Sequence, residues 1–208
     1  MGVFAALGTA LCWAIAARLF RGTGNAFSPL TMNFWKGLIS IAILAVVLLV
    51  VQPTGLTTST VLWLLVSGLI GIGIGDTCFF KALQSIGDSQ AVLVAETLAP
   101  LFTALFAMAF IGEWITWQQW VGVAVVLFSV DMVIKARKRS TTHVFATSGY
   151  LYGVGAALCQ AIGAVVSRDI LSAGEIDAAS AAFLRLVGGM FFVVPFIALT
   201  KTRYMPVI

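Results

Sequence analysis

Apolar residues are gathered into long runs over residues 2–21, 29–51, 61–84, 89–111, 117–136, 148–170 and 179–200. Each run is close to the roughly 20 residues that a helix needs to cross a hydrocarbon core of about 30 Å. The pattern therefore predicts an all-α, polytopic integral membrane helix bundle of seven transmembrane helices. Polar punctuation supports the boundaries. Ser28 before Pro29 reads as an N-cap followed by proline at the first helical position, where a missing N–H costs nothing. Thr116-Trp117-Gln118-Gln119 reads as a capping box, with Thr116 accepting from the Gln119 amide while the Gln119 side chain reaches back. Trp114, Trp117 and Trp120 mark a membrane interface at that end. Loops of about 4 to 11 residues make consecutive helices antiparallel neighbours.

Composition agrees. With 61% hydrophobic and 10% charged residues and a mean hydropathy of +1.06, a soluble globular protein is excluded. The 208 residues leave no room for a second, soluble domain. A net charge of +4 does not point to nucleic acid, because the basic residues stand at helix ends as orientation signals. Arg18, Arg21, Lys81, Lys135, Arg137, Lys138, Arg139, Lys201 and Arg203 fall on one side, against Arg168 on the other. This predicts a multi-pass protein of the cytoplasmic membrane with its basic loops in the cytoplasm and its N-terminus outside. The first twenty residues lack a basic leading segment and end in Arg18 and Arg21, so they read as a retained helix rather than a signal peptide. Cys12, Cys78 and Cys159 lie inside apolar runs without a C-x-x-C, and His143 sits alone in a basic loop, so no disulfide framework, metal site or cofactor is expected.

The chain repeats itself. At an offset of 147 residues, Gly2, Gly8, Ala10, Leu11, Cys12, Ala14, Ile15, Ala17 and Arg21 meet Gly149, Gly155, Ala157, Leu158, Cys159, Ala161, Ile162, Ala164 and Arg168. Gly8, Leu11, Cys12 and Ile15 share one helical face, so the match preserves a surface and not only a composition. After a two-residue insertion, Phe34-Trp35-Lys36 lies over Phe183-Leu184-Arg185, with a cation at the same depth in both copies. Five helices separate the copies, so they run through the bilayer in opposite directions, as in the inverted repeats of secondary transporters. The division predicted is residues 1–136 as one five-helix repeat, 137–147 as a basic linker and 148–208 as two helices of an incomplete second repeat. Two full repeats need ten helices; the missing three are expected from a partner chain or from the rest of a longer protein.

These residues resemble the EamA-like branch of the drug/metabolite transporter superfamily. The most specific stretch is Pro100 in the fourth helix, Gly112-Glu113 at its end, then Thr116, Gln119 and Gly122, similar to the family's proline, "GE" and "T..Q..G" pattern. Trp13 stands where the first helix of the family often carries tryptophan. Ala99 stands where many members have glutamate, and Ser129 replaces a usual glycine. The resemblance covers residues 2–135 as one whole repeat and 149–200 as part of the second. It implies secondary export of amino acids, metabolites or drugs, with the lipid bilayer and a small-molecule substrate as partners.

Ionisable residues inside the membrane are costly and mark functional sites. Counted at 1.5 Å per residue from the basic side, Lys36, Glu96 and Asp76 each lie about 10 to 13 Å deep. They form either a network whose protonation responds to substrate, with protons as coupling ion, or a fixed pair of Lys36 with one carboxylate that holds the bundle. Pro100 cannot donate to the Glu96 carbonyl, which leaves a free acceptor beside a titratable side chain. Trp13 is expected to stack on substrate, seal the pathway or pack. Gly68, Gly71, Gly73 and Gly75 suggest close helix packing, and Glu113 a structural helix terminus.

Two rival functions remain to be weighed. Gly73-Ile74-Gly75-Asp76 spells the GxGD motif of intramembrane aspartyl proteases, but its only possible second aspartate, Asp131, lies too shallow to share a proton. A transporter and not an enzyme is expected. If seven helices are all there is, a non-transporting assembly subunit, or a homodimer, becomes the alternative.

Overall fold

The structure, a computed structural model, describes residues 2–23, 26–51, 55–112, 114–138, 147–174 and 176–200. It contains seven long helical segments: α1 (Gly2–Thr23), α2 (Pro29–Val50), α3 (Thr58–Ile86), α4 (Asp88–Ile111), α5 (Trp117–Lys138), α6 (Thr147–Ser172) and α7 (Ala178–Thr200). No strand occurs among the described residues. Each segment matches a predicted apolar run, the largest difference being α3, which begins at Thr58 rather than residue 61. Five of them, α2, α3, α4, α6 and α7, are long and apolar enough to cross a membrane. The fold is a polytopic helical membrane bundle. Its outer surface carries Leu49, Val50, Phe110 and Leu199, nearly fully exposed, as a lipid-facing surface must.

The helix ends are set by local chemistry. The Ser28 hydroxyl accepts from the Thr31 N–H at 3.2 Å, with Pro29 in the first turn, as predicted. Gly112 takes φ +70° at the end of α4, a left-handed conformation in which most side chains are strained. The capping box is only half formed. The Gln119 side-chain oxygen accepts from the Thr116 N–H at 2.8 Å, but it also accepts from the Thr116 hydroxyl at 3.0 Å, so that hydroxyl donates instead of capping the Gln119 amide. Glu113, Arg139, His143, Lys201 and Arg203 lie outside the described residues, as do most of the expected linker and the side chains of Asp131, Lys135, Arg137 and Lys138.

The bundle is organised around α3, which packs on α2, α4, α6 and α7. Lipid tails are as apolar as leucine, so helices associate in a membrane by close packing and polar contacts rather than by hydrophobic burial. Glycine provides the close approach. A Cβ on Gly68 would lie 2.6 Å from Arg185 Cα, and one on Gly163 would lie 3.1 Å from Gly71 Cα. Buried hydroxyls provide the polar contact: Ser67 Oγ donates to Gly163 O at 2.8 Å and lies 2.9 Å from Ser167 Oγ. Nearer the α3–α4 turn, Phe79, Phe80, Leu83 and Ile86 close an apolar core against Ala91, Ala95 and Ala156. Arg21 Nη1 bonds Asp88 Oδ1 at 3.1 Å, which sets the first and third loops on the same side of the bundle.

One feature of α3 has no counterpart in the apolar pattern. Residues Leu69–Gly75, with the sequence LIGIGIG, form a π-helical stretch between two α-helical halves. The wide turns of a π-helix are unfavourable alone and recur at functional sites. Here they immediately precede Asp76.

Candidate functional site

Asp76 is buried at the end of the π-helical stretch, and its Oδ2 receives a hydrogen bond and an ion pair from Lys36 Nζ of α2. The same ammonium stands 5.8 Å from the Phe80 ring centroid, one helical turn beyond Asp76. Asn33 is one turn before Lys36 on α2, so both side chains face α3. The two N–H groups of its Nδ2 are shared among three acceptors, Ile72 O at 2.9 Å, Gly73 O at 3.1 Å and Thr77 Oγ1 at 3.0 Å. Thr77 Oγ1 in turn donates to Gly73 O at 2.6 Å. The buried carboxamide thus occupies carbonyls loosened by the wide turn and holds the backbone that aims Asp76 at Lys36.

Glu96 is placed differently from the three-membered network considered above. It is half-buried on α4 and lines a cavity of about 460 Å³ with Pro100, Thr103, Gln119, Gln160 and Arg168. Lys36 lines a separate, mostly apolar cavity of about 360 Å³ with Phe20, Met32, Trp35 and Ile39. Glu96 is within Coulombic range of Asp76 but makes no hydrogen bond to it or to Lys36 among the described residues. The reason is azimuth. Equal depth on three helices brings side chains together only if the helices turn the same faces inward, and Glu96 lines the cavity toward α5 and α6 and a second one that includes Ala14 and Ala17 of α1. Pro100 lies one turn further along the same cavity wall. Trp13 packs against Phe79, ring centroids 5.8 Å apart at 57°.

Several polar groups of this region escaped the sequence reading. Gln160 and Arg168 join Glu96 because α6 packs along α4. Asn33 was detectable as a lone amide in an apolar helix. Arg185 was the most legible of them, since the internal repeat lays it over Lys36. In the structure α7 packs on both α2 and α3, and its Arg185 guanidinium reaches α3 at Gly71. Its Nη2 stands 3.4 Å from the position of a Cβ on Gly71 and 3.3 Å from one on Gly163. Its Nε is buried without a hydrogen-bond partner, and Asp76 is the carboxylate within Coulombic range. For the protease reading, Asp76 is engaged by Lys36, and the side chain of Asp131 is outside the described residues.

A sequence model of the EamA-like transporter family matches residues 1–134. An uncharacterized transporter of Archaeoglobus fulgidus is 24% identical over 186 residues, covering 89% of this chain and 64% of that protein. An uncharacterized transporter in the cobO 3′ region of Sinorhizobium sp. is 27% identical over 124 residues, covering 54% of this chain and 86% of that protein. The chain thus spans somewhat less than two thirds of the Archaeoglobus relative.

Proposed function

Because the chain belongs to the EamA-like transporter family, we propose that it works as a secondary active exporter of a small metabolite, amino acid or drug across the cytoplasmic membrane, by alternating access. The observation that carries this reading is a polar cavity inside an apolar bundle. About 460 Å³ is lined by a carboxylate, a guanidinium, two carboxamides and a hydroxyl, from Glu96, Arg168, Gln119, Gln160 and Thr103. Glu96, Thr103 and Gln160 lie well inside their spans, where a membrane keeps such groups to bind or move something, while Gln119 and Arg168 are exposed near helix ends. A cavity of this size suits a small polar solute, and the few convergent polar groups would orient it.

In this reading the two repeats rock about the central cavity, which opens first to one side and then to the other. No nucleotide-binding P-loop occurs in the sequence given, so the energy comes from an ion gradient or the substrate's own gradient. Glu96 is the coupling group: it is titratable, it faces the cavity, and Pro100 leaves its carbonyl without a helical donor. Lys36 and Asp76 form the charged pair beside it, and the basic loops face the cytoplasm.

Glu96→Gln is the direct test. The amide keeps the shape and removes the proton. Reconstituted in liposomes, the variant is expected to transport at rates that agree within about twofold across the pH range over which the parent's rate changes most. Its elution as a single folded species in detergent would show that the bundle is intact. A pH profile identical to the parent's would overturn the coupling role of Glu96.

A further inference from the structure

Helix α3 presents one carboxylate to two cations. Lys36 reaches Asp76 from α2, and Arg185 approaches the same helix from α7, at the position that the internal repeat makes equivalent to Lys36. Only Lys36 holds the carboxylate in this structure. Arg185 has no hydrogen-bond partner among the described residues, and its Nε is buried. Its Nη2 lies between Gly71 of α3 and Gly163 of α6, 3.4 Å and 3.3 Å from where their Cβ atoms would stand. Gly71 precedes Asp76 by five residues, all but the last within the π-helical stretch. A guanidinium so placed inside a membrane is costly unless an anion serves it in some state of the protein.

We propose that Asp76 exchanges partners during the transport cycle, held by Lys36 in the conformation seen here and by Arg185 in the oppositely facing one. The inference rests on the alternating-access reading above and assigns Arg185 as a positioning residue within it. Inverted repeats interchange their local conformations when the carrier changes its facing direction. Equivalent cations on the two repeats would therefore take turns at the one carboxylate between them. The intervening hardware suits the change. Residues 72–75 of the π-helical stretch lie between the two cation contacts at Gly71 and Asp76, and converting one wide turn to an α-turn would rotate Asp76 relative to Gly71. Asn33 has no equivalent in the second repeat, where Ala182 takes its place. That asymmetry biases the free protein toward the Lys36-paired state.

The experiment is ¹⁹F NMR of the whole chain in lipid nanodiscs, with its six tryptophans replaced biosynthetically by 5-fluorotryptophan. Trp35, next to Lys36 and packed edge-on to Phe34 at 5.6 Å, is the reporter, assigned by Trp35→Phe. The parent is expected to show a major and a minor Trp35 resonance. Arg185→Gln should reduce the minor population at least tenfold, Lys36→Gln should raise it at least tenfold, and Arg185→Lys should retain the parent ratio within about threefold. With Asp76→Asn as background, neither cation variant should move the ratio, because the charge they compete for is gone. A purely structural Arg185 would give the same shift with and without Asp76, and that result overturns the proposal, as does a single Trp35 resonance in all variants. Counterflow of radiolabelled amino acids and drugs through liposomes is measured in parallel. Two conformers without transport would count against the transporter reading alone. Transport with no response of the conformers to Arg185 would count against the exchange alone.

Discussion

Gly188→Ala is expected to destabilise the bundle by about 3 kcal/mol and to remove most of the monodisperse protein from a size-exclusion profile. The added methyl would lie 2.8 Å from both the carbonyl carbon and Cα of Leu65, and nearer still to that carbonyl oxygen. No side chain there can swing aside, because the obstacle is the backbone of α3. The reciprocal contact, Gly68 against the Arg185 backbone, lies on the same crossing, so α7 cannot retreat at one point without losing the other. Nothing in a bilayer compensates for the separation, since lipid fills the gap without pressing the helices back together. Gly155→Ala is the control: no atom lies within 4 Å of its added methyl, and the helix gains from the better helix former. Thermal unfolding in detergent measures both. A Gly188→Ala protein as stable as the Gly155→Ala protein would mean that the α3–α7 crossing is not as close as the structure has it.

The sharp contrast between glycines also shows what can be read from the chain alone. The seven helices were legible because a bilayer imposes one demand, about 20 apolar residues per crossing, that local sequence must meet by itself. The start of α2 was legible for the same reason: Ser28 and Pro29 act within one turn. The close packing of Gly68, Gly71 and Gly73 could be expected from their number, but not which helices they would touch. The charged residues were conspicuous in apolar runs, and helical rise placed them at one depth. Rise carries no information about rotation, and rotation separates Glu96 from the Lys36–Asp76 pair. The cavity around Glu96 draws Gln119 from α5 and Gln160 and Arg168 from α6, residues that only tertiary packing brings together. The π-helical stretch was illegible in principle. A run of Gly and Ile fits several helical forms, and we expect the one adopted to depend on Asn33, whose amide bonds to it from more than thirty residues away in sequence.

That dependence makes Asn33→Leu the second substitution with a large expected effect, a loss of about 2 kcal/mol in stability. Asn33 is 1% exposed, and its amide serves three acceptors of α3. Hydrogen bonds between membrane helices average about 0.6 kcal/mol, which for the two that its N–H groups can make gives roughly 1. Leucine has the same branching but a larger volume, so at a site this buried overpacking adds about 1 kcal/mol to the lost polar pairing. Thr77 still bonds Gly73 O in the variant, whereas Ile72 O loses its side-chain donor. The expected structural response is reversion of part of Leu69–Gly75 to α-helix, the form that is favoured where no outside contact supports the wide turn. Asp76 then rotates away from Lys36, so the substitution should disturb the charged pair without touching either member. Two measurements separate this from ordinary destabilisation. Amide hydrogen exchange should quicken at Gly73–Asp76 more than at the distant Ser67–Ser167 contact, which Ser67→Ala perturbs in the opposite pattern. The Trp35 fluorine resonance should shift in Asn33→Leu and stay in place in Ser67→Ala. Uniform loss of protection along α3 with an unmoved Trp35 signal would show that Asn33 merely ties two helices together and leaves the aim of Asp76 to other contacts.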